Sequence, residues 1–124
     1  MIKVDIKLEP KDLKEKLKFD EKFVKAIKEG VKTSTIRANS NLKIGDTALA
    51  LSKGKLGLNV AFGELLITDV KRIRYDEIDK DISRTEGYLH EDLVKIVLQD
   101  YYYLEDSSLL YYIQFEYHPL EKEE

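Results

Sequence analysis

The 124-residue sequence predicts an α+β domain, a small mixed β-barrel with flanking helices. Three observations carry this. Strand-like segments follow one another from residue 32 to residue 73 with only short turns between them, which does not suit alternating β–α–β units. Helical periodicity is confined to residues 20–29 and 89–102. Residues 109–117 alternate strictly, with Leu109, Tyr111, Ile113, Phe115 and Tyr117 on one face and Leu110, Tyr112, Gln114 and Glu116 on the other.

The elements follow in order. Residues 2–8 alternate at period two and read as a strand that Pro10 ends. Leu17-Lys18-Phe19 suits a second short strand. Asp20 is a good N-cap for a helix carrying Phe23, Val24 and Ile27, and Gly30 is a natural residue just past its end. The β-branched run from Lys32 to Arg37 reads as a strand, and Asn39-Ser40-Asn41 as a turn. Ile44–Leu51 is a strand with Gly45-Asp46 at its mouth. Residues 53–57 form a turn, and residues 58–73 a long strand in which Gly63 marks a bulge or bend. Tyr75–Ile78 looks like a helical turn and Ser83–Tyr88 like a polar loop. Leu89, Leu93, Ile96, Val97 and Tyr101 mark the second helix. The two prolines, Pro10 and Pro119, bracket the compact part. Residues 1–16 are an extension that adds a strand to the barrel, 17–118 the domain, and 119–124 an acidic, disordered tail.

Composition excludes several functions. Without cysteine there is no disulfide, thiolate zinc site, iron–sulfur cluster or thiol nucleophile. Two histidines, His90 and His118, make multi-histidine metal sites and histidine triads poor candidates, so no metal and no cofactor is expected. No apolar run approaches the roughly 18–20 residues of a membrane span, and the N-terminus does not read as a signal peptide. A cytoplasmic protein with no membrane partner is expected. The 36% of charged residues, dominated by Lys and Glu, suits a thermophilic source.

The net charge of −3 hides a polarity: residues 1–30 carry +2, residues 31–74 carry +5 and residues 75–124 carry −10. A basic middle segment attracts phosphates if it forms one surface. The same charges also suit a solvated exterior.

The densest chemistry lies at Gly30–Arg37. In a strand, Lys32 and Ser34 face one side with Ile36, while Thr33, Thr35 and Arg37 face the other. A desolvated Lys turns neutral and can deprotonate a hydroxyl, Thr can serve as a nucleophile, and Arg37 is a donor for phosphate or carboxylate. The Gly-x-Lys-Thr string lacks the upstream Gly and preceding strand of a phosphate loop. An ordinary β-branched strand with incidental charges is the competing reading.

Gly30-x-Lys32-Thr33-x-Thr35-Ile36-Arg37, followed by Lys43-x-Gly45-Asp46 and Phe62-Gly63 in a long strand, resembles an ASCH domain. Tyr75-x-x-Ile78, the Glu86-Gly87 loop and the closing Tyr111–Phe115 strand continue the resemblance over residues 17–117. It implies a PUA-like barrel whose cleft receives RNA or a nucleotide. It also implies similarity to a branch of small amidohydrolases that deacylate N4-acetylcytidine, with Lys32, Thr35 and Glu86 matching their catalytic residues. Glu77 and Glu91 remain alternatives for the acid, and Glu86 also suits a charge before the second helix.

The resulting expectation is a basic cleft that binds RNA or a modified nucleoside. Candidate ligand-binding residues are Ser34, Arg37, Lys43, Lys71, Arg72 and Arg74. The alternatives are an amidohydrolase using Lys32, Thr35 and Glu86, and a protein-interaction module built on the acidic C-terminal half. Tyr101, Tyr102, Tyr103, Tyr111 and Tyr112 either stack on bases or pack the core and rim.

Overall fold

The computed structural model describes residues 15–120. The expected strand at 2–8 and the tail from 121 on lie outside these residues, so the extension at 1–16 is described only at Glu15 and Lys16. Among the described residues five strands form one sheet: β1 (Glu15–Lys18), β2 (Ser34–Arg37), β3 (Thr47–Lys53), β4 (Asn59–Arg74) and β5 (Leu109–His118), in the order β1-β3-β4-β5-β2. β1 pairs with β3 in parallel and every other pairing is antiparallel, which makes the sheet mixed. Among the described residues three helices accompany it: α1 (Val24–Lys28), α2 (Lys80–Thr85) and α3 (Glu91–Tyr101). Short 3-10 turns at Glu21–Phe23 and Tyr75–Glu77 precede α1 and α2. Among the described residues no helix is long and apolar enough to cross a membrane.

The sheet curls into a half-barrel. Its first core gathers Leu17, Phe19, Ile27, Ala48, Leu65, Ile67, Ile113 and Phe115. The second core packs Val94 and Leu98 of α3 against Ile36, Ile73, Leu110 and Tyr112. The alternation along β5 explains how one strand serves both. Ile113 and Phe115 belong to the first core, and Leu110 and Tyr112, on the opposite face, to the second. β4 does the same through a bulge between Ile67 and Asp69. The extra residue flips the phase, so Leu65 and Ile67 join the first core while Ile73 joins the second, with α3.

A second irregularity falls where Gly63 predicts a bend. The β3–β4 register shifts between Ala50 and Leu51, opposite Gly63 and Ala61. A Cβ on Gly63 would lie 2.2 Å from Cε1 of Tyr117, so only glycine admits that ring. The Tyr117 hydroxyl donates to the Phe62 carbonyl at 2.9 Å and fastens the ring over the bulge.

Three expectations need correction. Asp20 precedes the turn into α1 without a side-chain capping bond, because its carboxylate accepts from the Tyr101 hydroxyl instead. Part of the polar loop at 83–88 is the end of α2, capped by Asp79, whose side chain accepts from the Ile82 amide at 3.0 Å. Leu89, Leu93 and Ile96 are exposed, and the face of α3 that packs carries Val94 and Leu98.

Candidate functional site

The site forms where β2, α2 and α1 meet. Gly30, at φ +78°, turns the chain out of α1, and the Val31 and Lys32 amides donate to the Ala26 carbonyl at 2.9 and 3.0 Å. The Thr33 amide then donates to the Thr85 carbonyl at 2.7 Å, and the Thr33 carbonyl accepts from the Phe115 amide at 3.0 Å. These bonds clamp the start of β2 between the end of α2 and β5, bringing Lys32 against Glu86.

Lys32, Ser34, Thr35 and Glu86 are all buried. Lys32 Nζ donates to Glu86 Oε1 at 3.2 Å and lies 3.4 Å from the Glu86 carbonyl, 5.0 Å above the Phe23 ring. Glu86 Oε2 is hydrogen-bonded to Ser34 Oγ. Beyond Ser34 the bonds continue to Thr85 Oγ1 at 2.8 Å, which also meets the Ile82 carbonyl at 2.7 Å and the Tyr112 hydroxyl at 2.6 Å. Thr35 and Arg37 share a face, as the strand period requires, and Arg37 Nε donates to Thr35 Oγ1 at 2.8 Å. The same guanidinium donates to the Lys18 carbonyl at 2.9 Å, spanning the two edge strands, and lies 5.0 Å from the Phe19 ring centre. Among the described residues no hydrogen bond joins Lys32 to Thr35.

Burial sets the ionisation. Desolvation holds the Lys32 amine below its ordinary value, against the opposing pull of Glu86. Desolvation pushes the Glu86 carboxyl up and outweighs Lys32 and Ser34. Burial likewise raises Tyr88 and Tyr112.

Lys32, Thr35, Arg37 and Glu86 open into a cavity of about 420 Å³. Its other walls combine the rings of Phe19, Phe23, Tyr88, Tyr101 and Tyr102 with aliphatic Ile36, Val94, Val97 and Leu98, and Lys18, Asp20, Glu21 and Lys53 lie alongside. Glu77 and Glu91, the alternatives for the acid, are elsewhere: Glu77 accepts from the Arg74 amide at 2.7 Å, and Glu91 opens α3. Glu86 does not stand before the second helix as a simple charge; it closes α2.

The remaining predicted ligand-binding residues do not reach this cavity. Lys43 is exposed on the turn before β3, where its amide donates to Asp46. Lys71 lies 3.6 Å from Asp69, Arg72 stacks over Tyr111 and Arg74 pairs with Asp76 at 2.7 Å. Tyr103 is exposed. His90 precedes α3 and His118 contacts Glu116, and among the described residues no group of three or more His, Asp or Glu side chains converges. Sequence reasoning missed Thr85, Tyr88, Phe19 and Phe23 as site residues, and it weighed Tyr112 only as a ring that stacks on bases or packs. The available signal was Gly87 after Thr85-Glu86: at φ +92° it ends α2 and lets Glu86 turn inward beside Lys32.

The mixed half-barrel fold is shared with solved structures. The chain is similar to an ASCH domain from Lactobacillus crispatus, with TM-score 0.61 and 16% identity over 76% of this chain and 70% of that one. An Enterococcus faecalis protein aligns with TM-score 0.60 and 15% identity over 77% and 66%. A variant of ZmASCH from Zymomonas mobilis aligns with TM-score 0.60 and 15% identity over 85% and 73%. The fold is therefore that of the ASCH domain, a PUA-like α+β architecture. No family model and no curated protein matches the chain.

Proposed function

We propose that the cavity binds the base of a modified nucleoside. The observation that carries this is the pairing of aromatic walls with buried hydrogen-bonding groups in a cavity of about 420 Å³. Specific small-ligand sites have this size and make-up, and ring faces suit the π-face of a base. Arg37 and Lys18 at the same cavity suit the electron-rich edge of a base or its sugar. Calorimetric titration with N4-acetylcytidine, cytidine and a short single-stranded RNA tests it. Saturable nucleoside binding with little salt dependence is expected. Binding of RNA alone, weakening steeply with salt, would overturn it in favour of a phosphate-tracking surface.

A second reading, hydrolysis of the acyl amide, is favoured by one observation: Glu86, 54 residues on from Lys32 in sequence, lines the same cavity as Lys32 and Thr35. In it, Thr35 Oγ attacks the acyl carbonyl as its proton passes to the Lys32 amine. Glu86 protonates the exocyclic nitrogen as the C–N bond breaks, leaving an acyl-Thr35 ester and the free nucleoside. Water, losing its proton to the Glu86 carboxylate, then releases the carboxylic acid and restores Thr35 with the proton held on Lys32. Ultraviolet detection of cytidine formed from N4-acetylcytidine tests this. No turnover above that of Lys32→Ala would sink it.

A further inference from the structure

We infer that Glu86 is held as the neutral carboxylic acid, with its proton on Oε2, by a hydroxyl chain of Ser34, Thr85 and Tyr112. These three are then positioning residues of the site. The inference deepens the hydrolytic reading and rests on it for its chemical consequence. It rests on proton counting for its substance.

Four oxygen–oxygen contacts make up the chain: Glu86 to Ser34, Ser34 to Thr85, Thr85 to the Ile82 carbonyl, and Thr85 to Tyr112. Oxygens this close are held by a shared hydrogen. Each contact therefore needs one proton. Ser34, Thr85 and Tyr112 supply one each, and the Ile82 carbonyl supplies none. An ionised Glu86 leaves the chain one proton short. A protonated Glu86 completes it: Glu86 donates to Ser34, Ser34 and Tyr112 donate to Thr85, and Thr85 donates to Ile82. Thr85 Oγ1 then accepts two bonds and gives one, its full capacity.

Independent geometry agrees. The Lys32 Nζ contacts of 3.2 and 3.4 Å exceed the roughly 2.7–2.9 Å of a charged N–H···O bond. Glu86 also closes α2, at the carbonyl end of a helix, where an anion is disfavoured. The titratable and charged groups around it are Lys32 ahead of β2, Arg37 on β2, Tyr88 after α2 and Tyr112 on β5. Of these, Arg37 has two of its donors engaged by Thr35 and the Lys18 carbonyl. Burial of the carboxyl also favours the neutral acid, against the opposing charge of Lys32. The consequence is a division of labour. Glu86 enters the reaction as the proton donor to the leaving amine. Lys32, with no carboxylate beside it, is free to act as the base for Thr35.

The test is carbon NMR of the full-length, ligand-free protein labelled at glutamate Cδ, with the Glu86 signal assigned by its loss in Glu86→Gln. At neutral pH the signal is expected at the protonated-acid position. Thr85→Val removes three contacts and leaves Ser34 free to donate to Glu86, so the titration should move to lower pH. Tyr112→Phe removes one contact and one proton together, so the deficit stands and the signal should stay acid-like. Thr85→Ser, which keeps the hydroxyl, should match the wild type and serves if Thr85→Val does not fold. A carboxylate signal in the wild type at neutral pH would overturn the inference. So would equal shifts in Thr85→Val and Tyr112→Phe, or a carboxylate signal in Thr85→Ser. The readout needs no substrate, so a failure to hydrolyse N4-acetylcytidine would leave it intact.

Discussion

Two clusters of positive charge stand out in this chain, Lys32–Arg37 and Lys71–Arg74, and the fold treats them oppositely. Lys32 is buried, pressed on Phe23 and bonded to Glu86 from the far end of α2. Lys71, Arg72 and Arg74 are exposed, each against a neighbour within its own sheet or turn. Exposed pairs of this kind contribute little, since water screens them and side-chain entropy opposes them. A buried charge is costly unless the surroundings are built for it, so its presence carries far more information. Charge density in the sequence thus marks where cations are, and burial separates those built into the cavity from those left to solvent.

The largest expected effect is at the inner cluster. Lys32→Ala and Thr35→Ala should each lower turnover of N4-acetylcytidine by about 10²–10⁴-fold or more, in the range of a lost acid, base or nucleophile. Thr35→Ala should still bind the nucleoside in a titration. Full activity in either variant would place the chemistry elsewhere.

Next comes the pH dependence of stability. Because the Glu86 carboxyl is raised by burial, the folded chain keeps a proton that the unfolded chain releases near its ordinary value of 4.5. Above that pH the folded state binds more protons, so stability falls as pH rises through the raised value. Glu86→Gln removes this fall. The thermal midpoint of the wild type minus that of Glu86→Gln should therefore decline as pH rises above 4.5. A difference that is flat or rises with pH would contradict the neutral carboxyl.

At the rim the effect is spectroscopic. The Tyr101 hydroxyl is pushed up to about 12, chiefly by its bond to Asp20. Asp20→Asn should bring that titration back towards the ordinary value of 10 in an ultraviolet phenolate assay. The accompanying loss of stability should be at most about 1 kcal/mol, the net worth of one hydrogen bond. An unmoved titration would show that Asp20 is not the cause.

The outer cluster should matter least. Changing Lys71, Arg72 and Arg74 together to Gln is expected to leave both the thermal midpoint and the affinity for N4-acetylcytidine unchanged. Weaker nucleoside binding in that triple variant would break the contrast between the clusters.

Much of the fold was legible because period-two patterning survives in the folded chain. β5 runs almost as its alternation predicts, and both of its faces are partly apolar because each meets a different core. Gly63 signalled its bulge because no other residue fits beneath Tyr117. α2 was missed because its six residues include a single buried position, Ser83, so it has no apolar stripe. In the site, Lys32, Thr35 and Arg37 were readable from one strand. Glu86 was reachable only through family resemblance. Thr85 had no pattern to betray it, and Tyr112 stood out only as a ring, since a hydroxyl that completes a buried chain looks in sequence like any other strand or helix residue.

The placement of β2 at one edge of the sheet has a kinetic consequence. β3, β4 and β5 pair as successive neighbours, whereas β2 must wait for β5, with Ser34 meeting Gln114. Closing so long a stretch of chain is entropically unfavourable until the intervening strands are in place. The cavity should therefore be the last part to mature, after a sheet already formed without it. In pulsed hydrogen-exchange labelling during refolding, the Thr35 and Ile36 amides are expected to gain protection after those of Leu65 and Leu66. Simultaneous protection would mean that the domain condenses in a single step.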